Sequence, residues 1–98
     1  MKNFLVEIKP TAEQDLTQRY EQTAEESPQN ALNWYLRMII VIEKLNLLAE
    51  RCPLAPEDRD LNLGIRHLVI GDYRALYIIN DEVVEILHVR HSRMSRIL

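Results

Sequence analysis

Apolar and polar residues alternate near the start of the chain, and this alternation predicts a short β-strand. The apolar positions are Phe4, Val6 and Ile8, a period of two residues that is typical of a half-buried strand. A proline follows this segment and ends it. Thr11 then precedes Gln14 by three residues, which is the spacing of a capping box. A helix is therefore expected to begin at Thr11. Its apolar stripe comprises Ala12, Leu16 and Tyr20.

A second helix is predicted over residues 28–48. Ser27 can cap its free amides, and Pro28 suits its first turn because no N–H is needed there. Apolar residues follow two adjacent stripes with a period near 3.6 residues. A helix with so large an apolar circumference is expected to be buried on more than one side, between the first helix and a sheet. The stripes are Ala31, Trp34, Tyr35, Met38, Val41, Ile42, Leu45 and Leu48, and Leu32, Leu36, Ile39 and Leu47.

The second part of the chain predicts three strands joined by tight turns. Residues 51–64 are rich in proline and charge and are expected to form a loop. Strands are predicted over residues 65–70, 73–79 and 83–89, an antiparallel meander. The element order β-α-α-β-β-β predicts one α+β domain over residues 1–98, with both helices on one face of an antiparallel sheet. The opposite face of the sheet is expected to remain at least partly open.

Composition narrows the class of protein without changing this architecture. The chain has 98 residues, which suits a single domain, and its net charge of −3 excludes a protein that binds nucleic acid through overall positive charge. One cysteine cannot form an internal disulfide, which favours the reducing cytoplasm. The longest apolar run has five residues, far fewer than the roughly 20 that span a membrane. We therefore expect a cytoplasmic protein without a membrane partner.

Charge is divided unevenly along the chain. Residues 1–60 hold seven Lys and Arg against eleven Asp and Glu, a balance of −4. Residues 61–98 hold five arginines against four acidic residues, a balance of +1, together with all three histidines. Such arginines can contact phosphate or carboxylate through two N–H groups, or they can simply protect strand edges and pair with local acids. The histidine spacing matches no zinc motif, and no glycine-rich phosphate loop is present, so neither a metal nor a cofactor is expected.

Four segments together resemble the RelE/ParE family of bacterial type II toxins. Residues 71–77 (GDYRALY) resemble the family's YR-x-x-Y strand, and residues 83–93 (VVEILHVRHSR) resemble its strand ending in V-x-H-x-R. Residues 65–68 (IRHL) are similar to its R-x-L strand, and residues 12–16 (AEQDL) to its A-x-x-D-L helix. The resemblance covers nearly the whole chain and implies the same element order.

The resemblance implies a toxin that a cognate antitoxin holds inactive. RelE-like members cleave mRNA in the ribosomal A site without a metal, whereas ParE-like members poison DNA gyrase. The V-x-H-x-R ending favours the ParE-like branch, and the chain lacks the C-terminal tyrosine of the RelE nucleases. The ribosome-dependent mRNA endoribonuclease is the alternative, and a degenerate toxin that retains only antitoxin binding is a third. The resemblance is also compatible with a toxin dimer or a toxin–antitoxin hetero-oligomer.

Site residues follow from the same resemblance. If the protein is a nuclease, Arg74 is the expected phosphate clamp, and His91 is the expected acid or base because imidazole titrates near neutral pH. Both are expected to face solvent, so that their alanine variants lower toxicity without unfolding the protein. Arg66 is expected on the same face as Leu68 and Ile70, with its stem packed at the edge of the core. The residues expected to bind the target or RNA are Arg66, His67, Arg90 and Arg93.

Overall fold

The four strands and the two long helices occur in the predicted order β-α-α-β-β-β, so the α+β class is confirmed. The computed structural model describes residues 3–92, and its elements are labelled here in chain order. Two additional short helices follow the long ones, the second of them inside the predicted loop. The elements are β1 (Leu5–Ile8), α1 (Pro10–Glu26), α2 (Pro28–Glu43), α3 (Leu45–Leu48), α4 (Asp58–Leu61), β2 (Arg66–Ile70), β3 (Tyr73–Asn80) and β4 (Val83–His91).

The four strands form one sheet in the order β1-β4-β3-β2. β2, β3 and β4 make the predicted antiparallel meander, in which Arg74 lies opposite Arg90 and Tyr73 lies opposite His91. β1 differs from the prediction because it pairs with β4 in the parallel direction, so the sheet is mixed. No hairpin joins β1 to β4, and a strand that is free of a hairpin can enter a sheet in either direction.

Both long helices pack on one face of this sheet, as predicted. α1 lies against β4 and α2, and α2 reaches the sheet at β2. The core between the helices and the sheet is closed by large side chains with almost no exposure. These are Leu16, Met38, Ile42, Leu45, Tyr77, Val84 and Ile86.

The start of α1 differs from the predicted capping box, whereas the start of α2 agrees with its prediction. α1 begins at Pro10 after an N-cap lysine whose side chain makes no capping bond. The Thr11 hydroxyl instead donates to the carbonyl oxygen of Leu87 at 2.6 Å, so it ties the helix to β4. At α2, the Ser27 hydroxyl accepts a hydrogen bond from the amide of Asn30 at 3.2 Å.

α2 packs against both α1 and the sheet, as predicted, but part of its apolar surface is exposed. Its inner face carries Met38 and Ile42, but a second row of large apolar side chains faces solvent. Within residues 3–92, more than two fifths of the surface of each residue in this row remains exposed. The helix also ends at Glu43, and α3 completes the predicted length after a break at Lys44. We call the exposed row the outer stripe of α2; it comprises Leu32, Leu36 and Ile40 of α2 and continues to Leu47 of α3.

The second face of the sheet is partly covered by the segment between α3 and β2. This segment pairs with the edge of β2, where the Ala55 amide donates to the Ile65 carbonyl at 2.8 Å and the His67 amide donates to the Pro53 carbonyl at 3.1 Å. A small cluster of Ala55, Ile65 and Leu76 forms beneath it. The face that was expected to remain at least partly open is therefore covered where it carries Arg74.

Candidate functional site

The arginine expected to clamp phosphate is held inside the protein by a glutamate of its own chain. Arg74 lies in β3 on the face away from the helices, and Glu57 immediately precedes α4. The guanidinium Nη1 donates to Glu57 Oε1 at 3.0 Å, and Nη2 donates to Oε2 at 2.6 Å. The side chain of Arg74 is 8% exposed and that of Glu57 is 0% exposed. This is a two-pronged ion pair that is shielded from water.

His67 completes this group from the neighbouring strand. Its Nδ1 lies 3.2 Å from Nη1 of Arg74. Since a guanidinium can only donate, Nδ1 accepts this bond and the imidazole is neutral in this arrangement. We call Glu57, His67 and Arg74 the Arg74 network.

The electrostatics of the network follow from burial and from these contacts. The hydrogen bond from Arg74 holds the pKa of Glu57 below its ordinary value, although burial opposes the shift. Burial lowers the pKa of His67, and the positive charge of Arg74 lowers it further. A carboxylate with a lowered pKa is a poor proton acceptor, so Glu57 is suited to neutralise Arg74 rather than to act as a base.

A second carboxylate, that of Asp58, stabilises the loop that carries Glu57. Asp58 Oδ1 accepts hydrogen bonds from the amides of Leu63 at 2.8 Å and of Ile65 at 2.9 Å. The bond from Ile65 is the largest cause of a lowered pKa at Asp58. Asn62 ends α4 with a φ of 53°, a left-handed conformation that asparagine tolerates. Asp58 thereby closes the turn that returns the chain to β2.

The predicted solvent exposure of Arg74 is wrong, and Arg74 and His91 do not meet. Neighbouring residues of a strand point to opposite faces. Tyr73 packs against Trp34 of α2, with the ring centroids 5.3 Å apart, so it faces the helices and Arg74 faces away. His91 lies beside Tyr73 on the helix side, also at 5.3 Å. The roles of Arg74 and His91 in cleavage remain predictions, but the two side chains lie on opposite faces of the sheet.

The other predicted site residues are distributed over the two faces of the sheet. Arg66 shares the core face with Leu68 and Ile70, as predicted, and its Nη1 donates to the Cys52 carbonyl at 2.6 Å. Arg90 lies opposite Arg74 in the register and is half-buried. Arg93 lies outside the described residues. His67 is part of the Arg74 network, so two of the predicted residues are in direct contact.

Two important carboxylates were not predicted as site residues. Glu57 is one, and the sequence shows it only as one of several charges in a loop. Asp15 is the other: its Oδ2 accepts from the Val89 amide at 3.0 Å and lies 3.2 Å from Nδ1 of His88. Asp15 falls within the residues 12–16 motif, which is the only sequence signal that marks it. It joins α1 to β4 next to Leu87, where the register between β3 and β4 shifts by one residue.

Two general features of the described residues bear on the kind of site. Within residues 3–92, no three His, Cys, Asp or Glu side chains are grouped closely enough to hold a metal ion. In the same part of the chain, no helix combines the length and apolar content needed to cross a membrane.

Comparison with known proteins decides the family. The model of the family described as "ParE toxin of type II toxin-antitoxin system, parDE" matches residues 6–96. The chain belongs to the ParE toxin family. Its resemblance to type II toxins is thus confirmed, over almost its full length. Comparison with curated protein sequences gives no significant match.

Solved structures agree with this ParE toxin fold. A structure of the chromosomal ParDE toxin–antitoxin system from P. aeruginosa superposes with a TM-score of 0.77 at 18% identity, covering 90% of this chain and 95% of that one. The toxin–antitoxin complex RelBE2 from Mycobacterium tuberculosis superposes with a TM-score of 0.57 at 26% identity, covering 91% of this chain and 98% of that one. The same fold therefore occurs in proteins with either family label.

Proposed function

We propose that this ParE-family toxin is neutralised by a cognate antitoxin in the cytoplasm and inhibits growth by binding DNA gyrase. The family match over residues 6–96 supports the toxin role. Both solved structures described above are toxin–antitoxin systems, which supports an antitoxin partner. The choice of gyrase over the ribosome rests on the chemistry of the Arg74 network.

The state of Arg74 is the observation that carries this choice. RNA cleavage without a metal needs a cation that can reach the charged phosphorane and a group that takes the 2′-OH proton. Here both Nη atoms of Arg74 are bonded within the protein, and Glu57 has no exposed surface and a lowered pKa. A toxin that acts by binding needs no reactive groups on this face. The arrangement of Arg74 therefore favours a binder over a nuclease.

The outer stripe of α2 supports the antitoxin part of the proposal. Its four side chains are between 43% and 59% exposed, and an apolar row of this kind on a small protein is typical of a partner-binding surface. We infer that an apolar segment of the antitoxin covers it, within either a simple pair or a larger hetero-oligomer.

The endoribonuclease remains the second candidate because of one observation. The Arg74 network combines a carboxylate, a guanidinium and an imidazole, which are the group types that metal-free RNA cleavage employs. For this function, Glu57 would have to release Arg74 when the ribosome binds. Likeness to the RelBE2 structure is compatible with such a role and does not decide it.

Two assays with the full chain distinguish the candidates. Incubation with gyrase and plasmid DNA is expected to inhibit supercoiling and to trap cleaved DNA, and purified antitoxin added first is the control that restores supercoiling. Primer extension on mRNA after induction is expected to show no codon-dependent cuts. Cuts together with normal supercoiling would replace the gyrase proposal with the nuclease. Unchanged growth after induction without antitoxin would contradict the toxin role and leave antitoxin binding alone.

A further inference from the structure

Within residues 3–92, β1 is an edge strand whose outer side has no neighbouring strand. Its odd-numbered residues face β4: the amide of Leu5 donates to the carbonyl of Glu82 at 2.9 Å, and that of Lys9 donates to β4 at 3.0 Å. Successive residues of a strand direct their backbone groups to opposite sides within the sheet. The amides and carbonyls of Val6 and Ile8 therefore point outward, and none of them is hydrogen-bonded within the described residues.

Other parts of the sheet edge are closed by the chain itself. The start of β2 pairs with the segment before α4, where the His67 amide finds its acceptor at 3.1 Å. β4 extends beyond β1, and there α1 takes the place of a strand: the Thr11 hydroxyl donates to the Leu87 carbonyl, and Asp15 accepts from the Val89 amide. An unpaired edge is a surface that another strand can join. The outer edge of β1 is therefore available for pairing with another chain.

The side chains of β1 determine what kind of strand fits this edge. On the helix side of the sheet, Val6 and Ile8 are half-buried and pack against the core. On the other face, the carboxylate of Glu7 is bonded to Lys9 at 3.0 Å. A strand that joins this edge must therefore place apolar residues towards the helices and polar residues away from them. A second copy of β1 meets this requirement, because antiparallel pairing about a twofold axis through the sheet keeps the helices of both copies on the same side.

We propose that two copies of this chain associate through β1 in the antiparallel direction, with Val6 of each copy opposite Ile8 of the other. This register pairs every outward amide and carbonyl of these two residues and joins the two sheets into one. Placing Ile8 opposite Ile8 would bring Pro10 into the ladder, and proline has no N–H to donate. Placing Val6 opposite Val6 would bring Ile8 opposite Phe4, whose amide already donates to the Asn46 carbonyl. The pairing is independent of the choice between gyrase and ribosome.

The register also sets the charges at the centre of the interface. The two Glu7 side chains lie opposite each other, an arrangement that is destabilising when nothing compensates it. Each carboxylate is bonded to Lys9 of its own chain, and Lys9 of the second copy lies diagonally across from it. The two glutamates and two lysines thus form a compensated group on the face away from the helices. Since the interface is small, association is expected to be weak and to depend on protein concentration.

Amide hydrogen exchange of the full chain without antitoxin tests the pairing at about 10 μM and about 1 mM protein. Exchange at the Val6 and Ile8 amides is expected to be at least about threefold slower at the higher concentration, because only pairing gives these amides acceptors. The Glu7 amide faces β4 and should be slow at both concentrations, whereas the outward amide of Val69 in β2 should be fast at both. Exchange at Val6 and Ile8 that is equal at the two concentrations would overturn the proposal. Protection that appears only after antitoxin is added would also overturn it and would assign this edge to the antitoxin.

Charge variants test the register by sedimentation equilibrium. Lys9→Gln leaves the two Glu7 carboxylates uncompensated and is expected to weaken the dimer about tenfold. The double variant Lys9→Gln with Glu7→Gln removes these carboxylates as well and is expected to recover most of the loss. Glu13→Gln, which changes an exposed glutamate of α1, is the control and should leave association unchanged. A native chain that stays monomeric at about 1 mM, or a loss in Lys9→Gln that persists in the double variant, would contradict this interface.

Discussion

Arg74 lies opposite Arg90 in the sheet, and such a pair of like charges is destabilising unless a counter-charge is supplied. Glu57 supplies it through two hydrogen bonds between side chains that are almost fully buried. Bringing both charged groups out of water is expensive, so the pair stabilises the fold little compared with apolar residues of the same size. Removing one member of the pair destabilises the fold much more, because the charge of the other member then stays buried without a partner.

This asymmetry gives a prediction for stability. Glu57→Ala is expected to lower the free energy of unfolding by about 3–5 kcal/mol, whereas the double variant Glu57→Leu with Arg74→Met is expected to stay near the native value. Urea unfolding followed by circular dichroism measures both, and Glu13→Ala, an exposed glutamate of α1, is the control. A loss in the double variant as large as that in Glu57→Ala would show that the ion pair itself is stabilising. Arg74→Ala is for the same reason expected to disturb the fold, so lost toxicity in that variant would not identify a catalytic group.

The pKa shifts predict that stability falls on acidification in two steps. His67 has a lowered pKa in the folded protein, so the unfolded chain binds the proton first and stability declines as the pH falls below about 6.5. Glu57 and Asp58 also have lowered pKa values, and the stability they confer is present above about pH 4 and is lost as the pH falls through their folded values. Chemical unfolding over a pH series measures both steps.

A single variant isolates the upper step. His67→Asn keeps an acceptor near Arg74 but does not titrate, so its stability is expected to be flat between about pH 7 and pH 5. His91→Asn is the matched exchange outside the network and should keep the step. If the step persists in His67→Asn, another group is responsible for it.

At the scale of elements, periodicity predicts well where one face is buried. The alternation at Phe4, Val6 and Ile8 and the turns at the two ends of β3 led to strands within one or two residues of those observed. Periodicity did not predict that the outer stripe of α2 is exposed. The sequence pattern of an apolar helix face is the same whether the protein itself or a partner covers that face. The Arg74 network could not be predicted either, since Glu57 and Arg74 are brought together by the whole path of a loop. Of the three residues of the network, Arg74 and His67 carried a sequence signal and Glu57 did not.

The attachment of α1 to β4 predicts a local effect of Asp15. Asp15→Ala removes the acceptor of the Val89 amide, so the free energy of unfolding is expected to fall by about 1 kcal/mol. Hydrogen exchange at Val89 should accelerate more than at the amides of β2. Asp15→Asn retains a carbonyl acceptor and is expected to lose less. Exchange at Val89 that is unchanged in Asp15→Ala would mean that this bond does not hold the helix to the strand.

At the scale of the molecule, the net charge of −3 is the sum of a negative balance over residues 1–60 and a small positive balance over residues 61–98. Two arginines of the sheet half form contacts within the protein: Arg74 binds Glu57, and Arg66 binds a backbone carbonyl. The surface that stands out is instead apolar, along the outer stripe of α2. If the outer stripe binds the antitoxin, as proposed, other surfaces are left for the target, so binding to the two partners should be separable by substitution.

Substitution of the outer stripe tests this separation. The double variant Leu36→Asp with Ile40→Asp is expected to fold normally, because the two side chains are 50% and 59% exposed. It is expected to weaken antitoxin binding by about 2 kcal/mol or more, roughly 30-fold, so co-expressed antitoxin no longer rescues growth while toxicity persists. Leu63→Asp, which is 67% exposed in the loop before β2, is the control and should still be rescued. Full rescue of the double variant would place the antitoxin elsewhere, whereas simultaneous loss of toxicity would show that target and antitoxin share α2.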